Sequence, residues 1–231
     1  MAIKDIKFMN GEGYLLKELS LSLTQYEEQM RQIEYDRFYD QYRSCRDDSG
    51  VEKTQFPSII FAFYSIIFNQ SKLPLPSELL DEYYMINADE LQIEGEMVLY
   101  QGKPFKKADL DARILRTYPS LVRDYHFYLM LVNAECFDRV IYSCKYDISG
   151  KDIIIQDHSK EYILSLYINT NRSNYFKRIK NTFRHIYHSN EIQIPLDLST
   201  AAKHGDIYVY SNEDIENVKN TIYKKRGFTP R

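Results

Sequence analysis

Tryptophan is absent from the 231 residues, and cysteine (3), proline (7) and glycine (8) are scarce. Cys45, Cys136 and Cys144 are scattered and form no CxxC pair, which excludes a disulfide scaffold and a cysteine-rich zinc module. An odd number of isolated thiols suits a reducing compartment, so the expected location is cytoplasmic. No apolar run reaches membrane-spanning length. The longest, from Ile59 to Phe68, is broken by Tyr64 and Ser65. The opening MAIKDIKFMNGEG has no apolar signal core, and no membrane partner is expected. Gly11-x-Gly13 lacks the strand-turn-helix context of a nucleotide-binding loop. Internal repeats and low-complexity tracts are also missing.

What is present is a globular balance, 44% hydrophobic and 27% charged, on a chain long enough to bury a core. The 21 tyrosines are read as compositional bias rather than as chemistry. The net charge of −3 hides an asymmetry. Residues 1–100 carry 18 acidic and 9 basic side chains, whereas residues 101–231 carry 15 and 21. The first part repels a polyanion and the second tolerates one, which points to nucleic acid as a partner of the second.

Helical spacing of Leu21, Leu23, Tyr26, Met30, Ile33 and Phe38 predicts a helix over 20–46, with Thr24 and Glu27 as a capping box. FPSIIFAFYSIIFNQ (56–70) is apolar all round and predicts a buried helix with Pro57 at its first position. Ser77 is expected to cap a short helix after the linker 73–76, and 97–105 to form a hairpin turning at Gln101-Gly102. These elements make residues 1–108 a mostly helical, acidic region. From 109 the pattern changes. A helix is expected over 110–135, with Pro119 as a break or a fresh start. Strands follow at 138–147, 151–157 and 161–170, then a basic helix at 172–188. Strands at 192–198 and 205–211 come next, and a last helix at 212–225 with Asn212 as its cap.

This α-β-β-β-α-β order, together with the turn Gly150-x-Asp152 at the mouth of the second strand, resembles the core of the PD-(D/E)XK nuclease superfamily, shared by restriction endonucleases and repair nucleases. The resemblance covers roughly residues 110–211. It implies an α/β fold of restriction-endonuclease-like α-β-β-β-α-β type over 109–231. It also implies Mg²⁺ held by carboxylates against a scissile phosphate, with one acid on the second strand, an acid-x-lysine pair on the third and often an acid on the preceding helix. Asp152 matches the second-strand acid, and Asp124 is the best helix candidate, ahead of Glu135. The ordinary alternative for Asp152 is a solvated turn residue, and for Asp124 a surface ion pair with Arg123.

The third strand departs from the family pattern. The acid-x-lysine pair should fall at Ser165 and Tyr167, and neither replaces a carboxylate or an ammonium. Asn169 and Glu161 share their parity. A rearranged lysine on the following helix is an alternative, because no acid occurs from Tyr162 to Asn190 and that window holds Arg172, Lys177, Arg178, Lys180 and Arg184. Lys177 is the expected catalytic cation, and all five are expected to contact nucleic acid; a solvated basic face is the plain alternative. His185 and His188 share a helix face but have no obvious third metal ligand, and Cys136 and Cys144 are read as structural.

Two functions follow. One is a divergent Mg²⁺-dependent nuclease acting on DNA in restriction, mobile-element or phage-defence systems. The other is a catalytically inactive nuclease-fold module that binds nucleic acid, or a protein partner through the acidic N-terminal region.

Overall fold

The computed structural model of the chain describes residues 21–45, 49–142, 151–169 and 190–227. It is a mixed α/β protein whose described residues fall into two compact units. One holds the residues through Val122 together with His204–Ile207, and the other holds Arg123–Lys203 and the residues from Tyr208 on. Among the described residues no helix is long and apolar enough to cross a membrane.

The first unit begins with α1 (Leu23–Arg31), α2 (Tyr35–Asp40), a 3₁₀ turn (Arg43–Cys45) and α3 (Ser49–Lys53). The continuous helix expected over 20–46 is therefore split. Its cap is Ser22, not Thr24: the Ser22 hydroxyl accepts from the Gln25 amide at 3.3 Å, and the Gln25 side chain accepts from the Ser22 amide at 2.9 Å. In α4 (Ile60–Gln70) the run from Ala62 to Phe68 is buried, as its all-round apolarity requires. Pro57 lies before this helix rather than at its first position; its carbonyl accepts from the Tyr83 hydroxyl at 3.1 Å. In α5 (Pro76–Ile86) the proline occupies the first turn and Glu78 reaches back to the Leu75 amide at 2.9 Å, so Ser77 is not the cap. β1 (Leu91–Glu94), β2 (Met97–Tyr100) and β3 (Lys103–Lys106) form an antiparallel meander. The β2–β3 turn falls at Gln101-Gly102, with φ of 52° and 74°.

A single helix, α6 (Lys107–Asn133), runs through Pro119 without a break. Proline cannot donate to the carbonyl four residues earlier, so Leu115 loses its intrahelical partner. The buried Tyr35 hydroxyl replaces it, donating to the Leu115 carbonyl at 2.9 Å. The same device recurs. Tyr26 donates to Val122, Tyr100 to Gln55 and Tyr118 to Pro74, each onto a backbone carbonyl at 3.0, 2.9 and 2.7 Å. Tyrosine is thus a structural residue here. In these four the ring fills core volume while the hydroxyl donates to a backbone carbonyl.

The second unit is built on a four-stranded sheet, β4 (Arg139–Ile141), β5 (Ile153–Asp157), β6 (Lys160–Ile168) and β7 (Glu191–Leu196), in that spatial order. β4, β5 and β6 are antiparallel neighbours, and β7 returns parallel to β6. Ile153, Ile154 and Ile155 are fully buried, and Ile192, Ile194 and Leu196 bury the alternate positions of β7. A separate hairpin, β8 (Ala202–His204) and β9 (Ile207–Val209), turns at Gly205-Asp206, so the strand expected over 205–211 begins two residues later and pairs with a short strand before it. The last helix, α7 (Asn212–Lys225), is capped by Ser211 rather than Asn212, with Asp214 accepting from the Ser211 amide at 2.7 Å.

Candidate functional site

The second unit brings together the two carboxylates expected to hold a metal. Asp124 lies on α6, directly after Arg123. Asp152 lies one residue before β5, whose ladder with β6 ends at the Ile153–Leu164 pair. Beyond that pair β6 continues with β7 as its only neighbour among the described strands, and its Leu166 amide has no β5 backbone to bond. Asp152 fills the gap: its Oδ2 accepts from the Leu166 amide at 2.5 Å. Extending the register by one residue sets Asp152 across from Ser165.

Asp124 is in a strained electrostatic position. Its side chain is 20% exposed, yet its Oδ1 is buried and has no hydrogen-bond partner. The Arg123 Nε stands 3.6 Å from that oxygen, too far for a good hydrogen bond but close enough to attract it. Burial raises the Asp124 carboxyl above its ordinary range, Arg123 opposes the rise and the charge of Asp152 adds to it, and the carboxyl is pushed up to about 7. Arg123 is itself buried, so the surface ion pair considered for Asp124 is replaced by a largely enclosed one.

Tyr210 closes the group. It is buried, with its ring 4.6 Å from that of Phe127 and its hydroxyl donating to the Ile194 carbonyl at 3.3 Å. Its phenol is held far above the ordinary range by burial first, then by the charges of Asp124 and Asp152 against that of Arg123. It therefore stays neutral and is a hydrogen-bond donor, not a base. The sequence reading did not single out Tyr210, because its only signal is its place at the end of a strand.

Ser165 and Tyr167 occupy β6 as counted from Asp152. Ser165 donates to Glu191 Oε1 at 2.7 Å. Glu161 is exposed and pairs with Gln156, near the far end of the strand, and Asn169 lies past its end with its amide on the Leu196 carbonyl at 2.8 Å. Neither joins Asp152. Glu135 is exposed in the turn after α6, with φ of 49°. Gly150, Cys144, Arg172, Lys177, Arg178, Lys180, Arg184, His185 and His188 lie outside the described residues. Cys136 is half-buried, and burial pushes its thiol up, away from thiolate chemistry.

A second convergence of ligand-type groups, Asp138, Asp157 and His158, has its donor atoms within 4.8 Å of one another. The His158 amide donates to Asp138 at 2.7 Å, and its Nδ1 lies 3.2 Å from Asp157 Oδ1. Buried Asp157 is already ion-paired with Arg226, just past α7. This group is a staple between the β5–β6 turn and the C-terminal helix, because its buried charge is neutralised from within.

Asp124 and Asp152 are hard oxygen donors of the kind Mg²⁺ takes. A divalent cation fits them on an internal ground: among the described residues one buried Asp124 oxygen has no hydrogen-bond partner, the Arg123 guanidinium stands 3.6 Å from it, and the charge of Asp152 acts on the same carboxyl. No family model, curated protein or solved structure matches the chain.

Proposed function

We propose that the second unit is a divergent metal-dependent nuclease module of PD-(D/E)XK type acting on DNA, with Asp124 and Asp152 as its cation ligands. One observation carries this reading. Two carboxylates singled out from separate segments are close enough for the charge of one to act on the other, and one has a buried oxygen without a hydrogen-bond partner. The meander β4-β5-β6 with β7 returning parallel supports it.

Asp152 would be aimed by the Leu166 amide, and Asp124 held by the charge of Arg123. Mg²⁺ bound there would polarise a phosphoryl oxygen and activate water. Neutral Tyr210 would shield the two carboxylates from bulk water on one side. Lys177 or Arg172 would contact the scissile phosphate, with Arg178, Lys180 and Arg184 gripping the flanking backbone. Restriction, mobile-element or phage-defence systems are the settings in which such a module serves.

A second reading is favoured by Ser165 and Tyr167, which supply neither acid nor ammonium: an inactive module on the same fold that binds nucleic acid or a protein partner. The two are separated by incubating the full chain with circular and linear DNA, and with RNA, in Mg²⁺ or Mn²⁺, beside Asp152→Ala and an EDTA control. The nuclease reading expects metal-dependent cutting that Asp152→Ala abolishes while binding persists. Cutting that survives Asp152→Ala would sink it. Absence of cutting, with binding lost on Lys177→Glu and Arg178→Glu and steeply weakened by salt, would establish the binding module.

A further inference from the structure

We infer that the β1 edge of the first unit is a docking site for an extended, basic segment of a partner protein, which adds to the β1-β2-β3 sheet as a fourth strand. The inference stands apart from the cation-site reading, because every residue it uses lies in the first unit. The sheet has two edges, and the hairpin turns fix which backbone groups face outward from each. Two residues, Gly95-Glu96, join β1 to β2, so Glu94–Met97 is a hydrogen-bonded pair, and by alternation Gln92–Leu99 is one too. Leu91 and Ile93 take the other positions, with their amides and carbonyls directed away from β2. The Leu91 amide is taken by the Asn87 carbonyl at 2.8 Å. The Leu91 carbonyl and both Ile93 groups face no strand among the described residues. The same count from the Gln101-Gly102 turn puts Pro104 and Lys106 outward on β3. Proline has no N–H to offer, and lysine is a common guard of a sheet edge. β1 has neither guard. Its Ile93 is 49% exposed, although it shares a face with buried Leu91, Val98 and Tyr100. A strand laid beside β1 would pair with the Ile93 backbone and cover its side chain.

Charge selects the occupant. Asp89, Glu90, Glu94 and Glu96 are exposed on β1 and the turns that flank it, and none has an ion pair among the described residues. The lysines of the sheet, Lys103 and Lys106, are on β3, two strand spacings or about 10 Å away. The field at the β1 edge is therefore negative, which repels nucleic acid and draws in a basic chain. A second copy of this chain is disfavoured by the same residues. Antiparallel self-pairing about Ile93 would bring Glu90 toward Glu96 twice, with like charges opposed. The fitting occupant alternates basic side chains, beside Gln92 and Glu94, with apolar ones on the Ile93 face.

The probe is a fluorescein-labelled peptide, Lys-Val-Lys-Val-Lys-Val-Lys with blocked ends, titrated with the full chain and followed by fluorescence anisotropy. Wild type is expected to bind it, more weakly as salt rises, and to ignore its Glu-Val counterpart. The basic peptide N-methylated at every residue keeps its charge but has no N–H to give a strand, and is expected to bind at least about 10-fold more weakly. Ile93→Pro removes the outward amide without touching a ladder bond and is expected to weaken binding by about 10-fold or more. Glu90→Lys combined with Glu94→Lys is expected to shift the preference to the Glu-Val peptide. Equal binding of the N-methylated peptide, or wild-type affinity in Ile93→Pro, would reduce the effect to charge attraction and overturn strand addition. Failure of wild type to bind the basic peptide, or equal binding of the acidic one, would overturn the inference outright. A dimer in sedimentation that Ile93→Pro dissolves would make a second copy the occupant and overturn the choice of partner. If Ile93→Pro proves unfolded by circular dichroism, Ile93→Lys keeps the amide, sets a cation on the edge and is expected to lose the basic peptide to the same extent; unchanged affinity there also overturns the inference.

Discussion

Replacing Asp124 with asparagine should stabilise the metal-free protein at neutral and alkaline pH. Burial, opposed by Arg123 and reinforced by Asp152, moves the Asp124 carboxyl from 3.8 up to about 7. A carboxyl whose folded value exceeds its unfolded one favours the fold fully only below about pH 4, and that contribution is lost as pH rises through about 7. At about 1.4 kcal/mol per unit, the loss is on the order of 4 kcal/mol, and sharing of the proton with Asp152 reduces it to about 2–4. Asparagine has the shape of the neutral acid and does not titrate. Wild type and Asp124→Asn should therefore match near about pH 4, diverge between about pH 4 and 7, and differ by a constant amount above that. In a chain of this size the gap corresponds to roughly 4–15 °C in melting midpoint. Urea unfolding in EDTA, followed by far-ultraviolet circular dichroism at several pH values, reads the difference directly, and titrating groups not coupled to Asp124 cancel between the two proteins. Added Mg²⁺ should raise wild type and leave Asp124→Asn unmoved. A variant less stable than wild type at about pH 8, or a gap that does not change with pH, would refute the reasoning: the Arg123 ion pair would then outweigh burial.

Tyr35→Phe should cost about 1–2 kcal/mol by orphaning the Leu115 carbonyl that Pro119 leaves without a partner. In a Pro119→Ala background, which restores the helical donor, the same substitution should cost about 0.5 kcal/mol or less; an unchanged cost in the double-mutant cycle would refute the exchange. Gly205 has φ of 59°, and a Cβ there would meet the Met30 carbonyl oxygen at 2.5 Å, so Gly205→Ala should cost about 2–4 kcal/mol. Gly102 has φ of 74° with nothing within 4 Å of a Cβ, and Gly102→Ala should cost only about 1 kcal/mol by the same unfolding measurement.

Local patterns carried much of the second unit. Alternation and turn residues located β5, the His158-Ser159 turn and β6, and the resemblance pointed to Asp124 on the preceding helix without any view of its partner. Reading failed where the deciding interaction is distant in sequence. Pro119 looked like a break because its compensation comes from Tyr35, 80 residues away. The capping residues were misplaced by a residue or two because serine, threonine and asparagine compete for the same role, and the choice turns on which acceptor reaches an amide. The Ser165–Glu191 hydrogen bond was not foreseen because it depends on the β6–β7 register, and a parallel pair separated by a long connection leaves no local trace of register.

Two buried aspartates, Asp111 and Asp157, stand in contrast to the partly enclosed Asp124. Asp111 receives the Tyr84 hydroxyl at 2.7 Å on one oxygen and the Lys107 ammonium at 2.8 Å on the other. Asp157 has the Arg226 guanidinium on one oxygen and the His158 ring 3.2 Å from the other. In both, each carboxylate oxygen has a partner, the arrangement that makes a buried charge tolerable. Asp124 breaks this rule while lying beside a second carboxylate. An enclosed acid with an unbonded oxygen costs stability, and asparagine would remove that cost while leaving the buried Arg123 guanidinium without its ion pair. The proposed divalent cation would supply that oxygen with a ligand and offset the repulsion between Asp124 and Asp152.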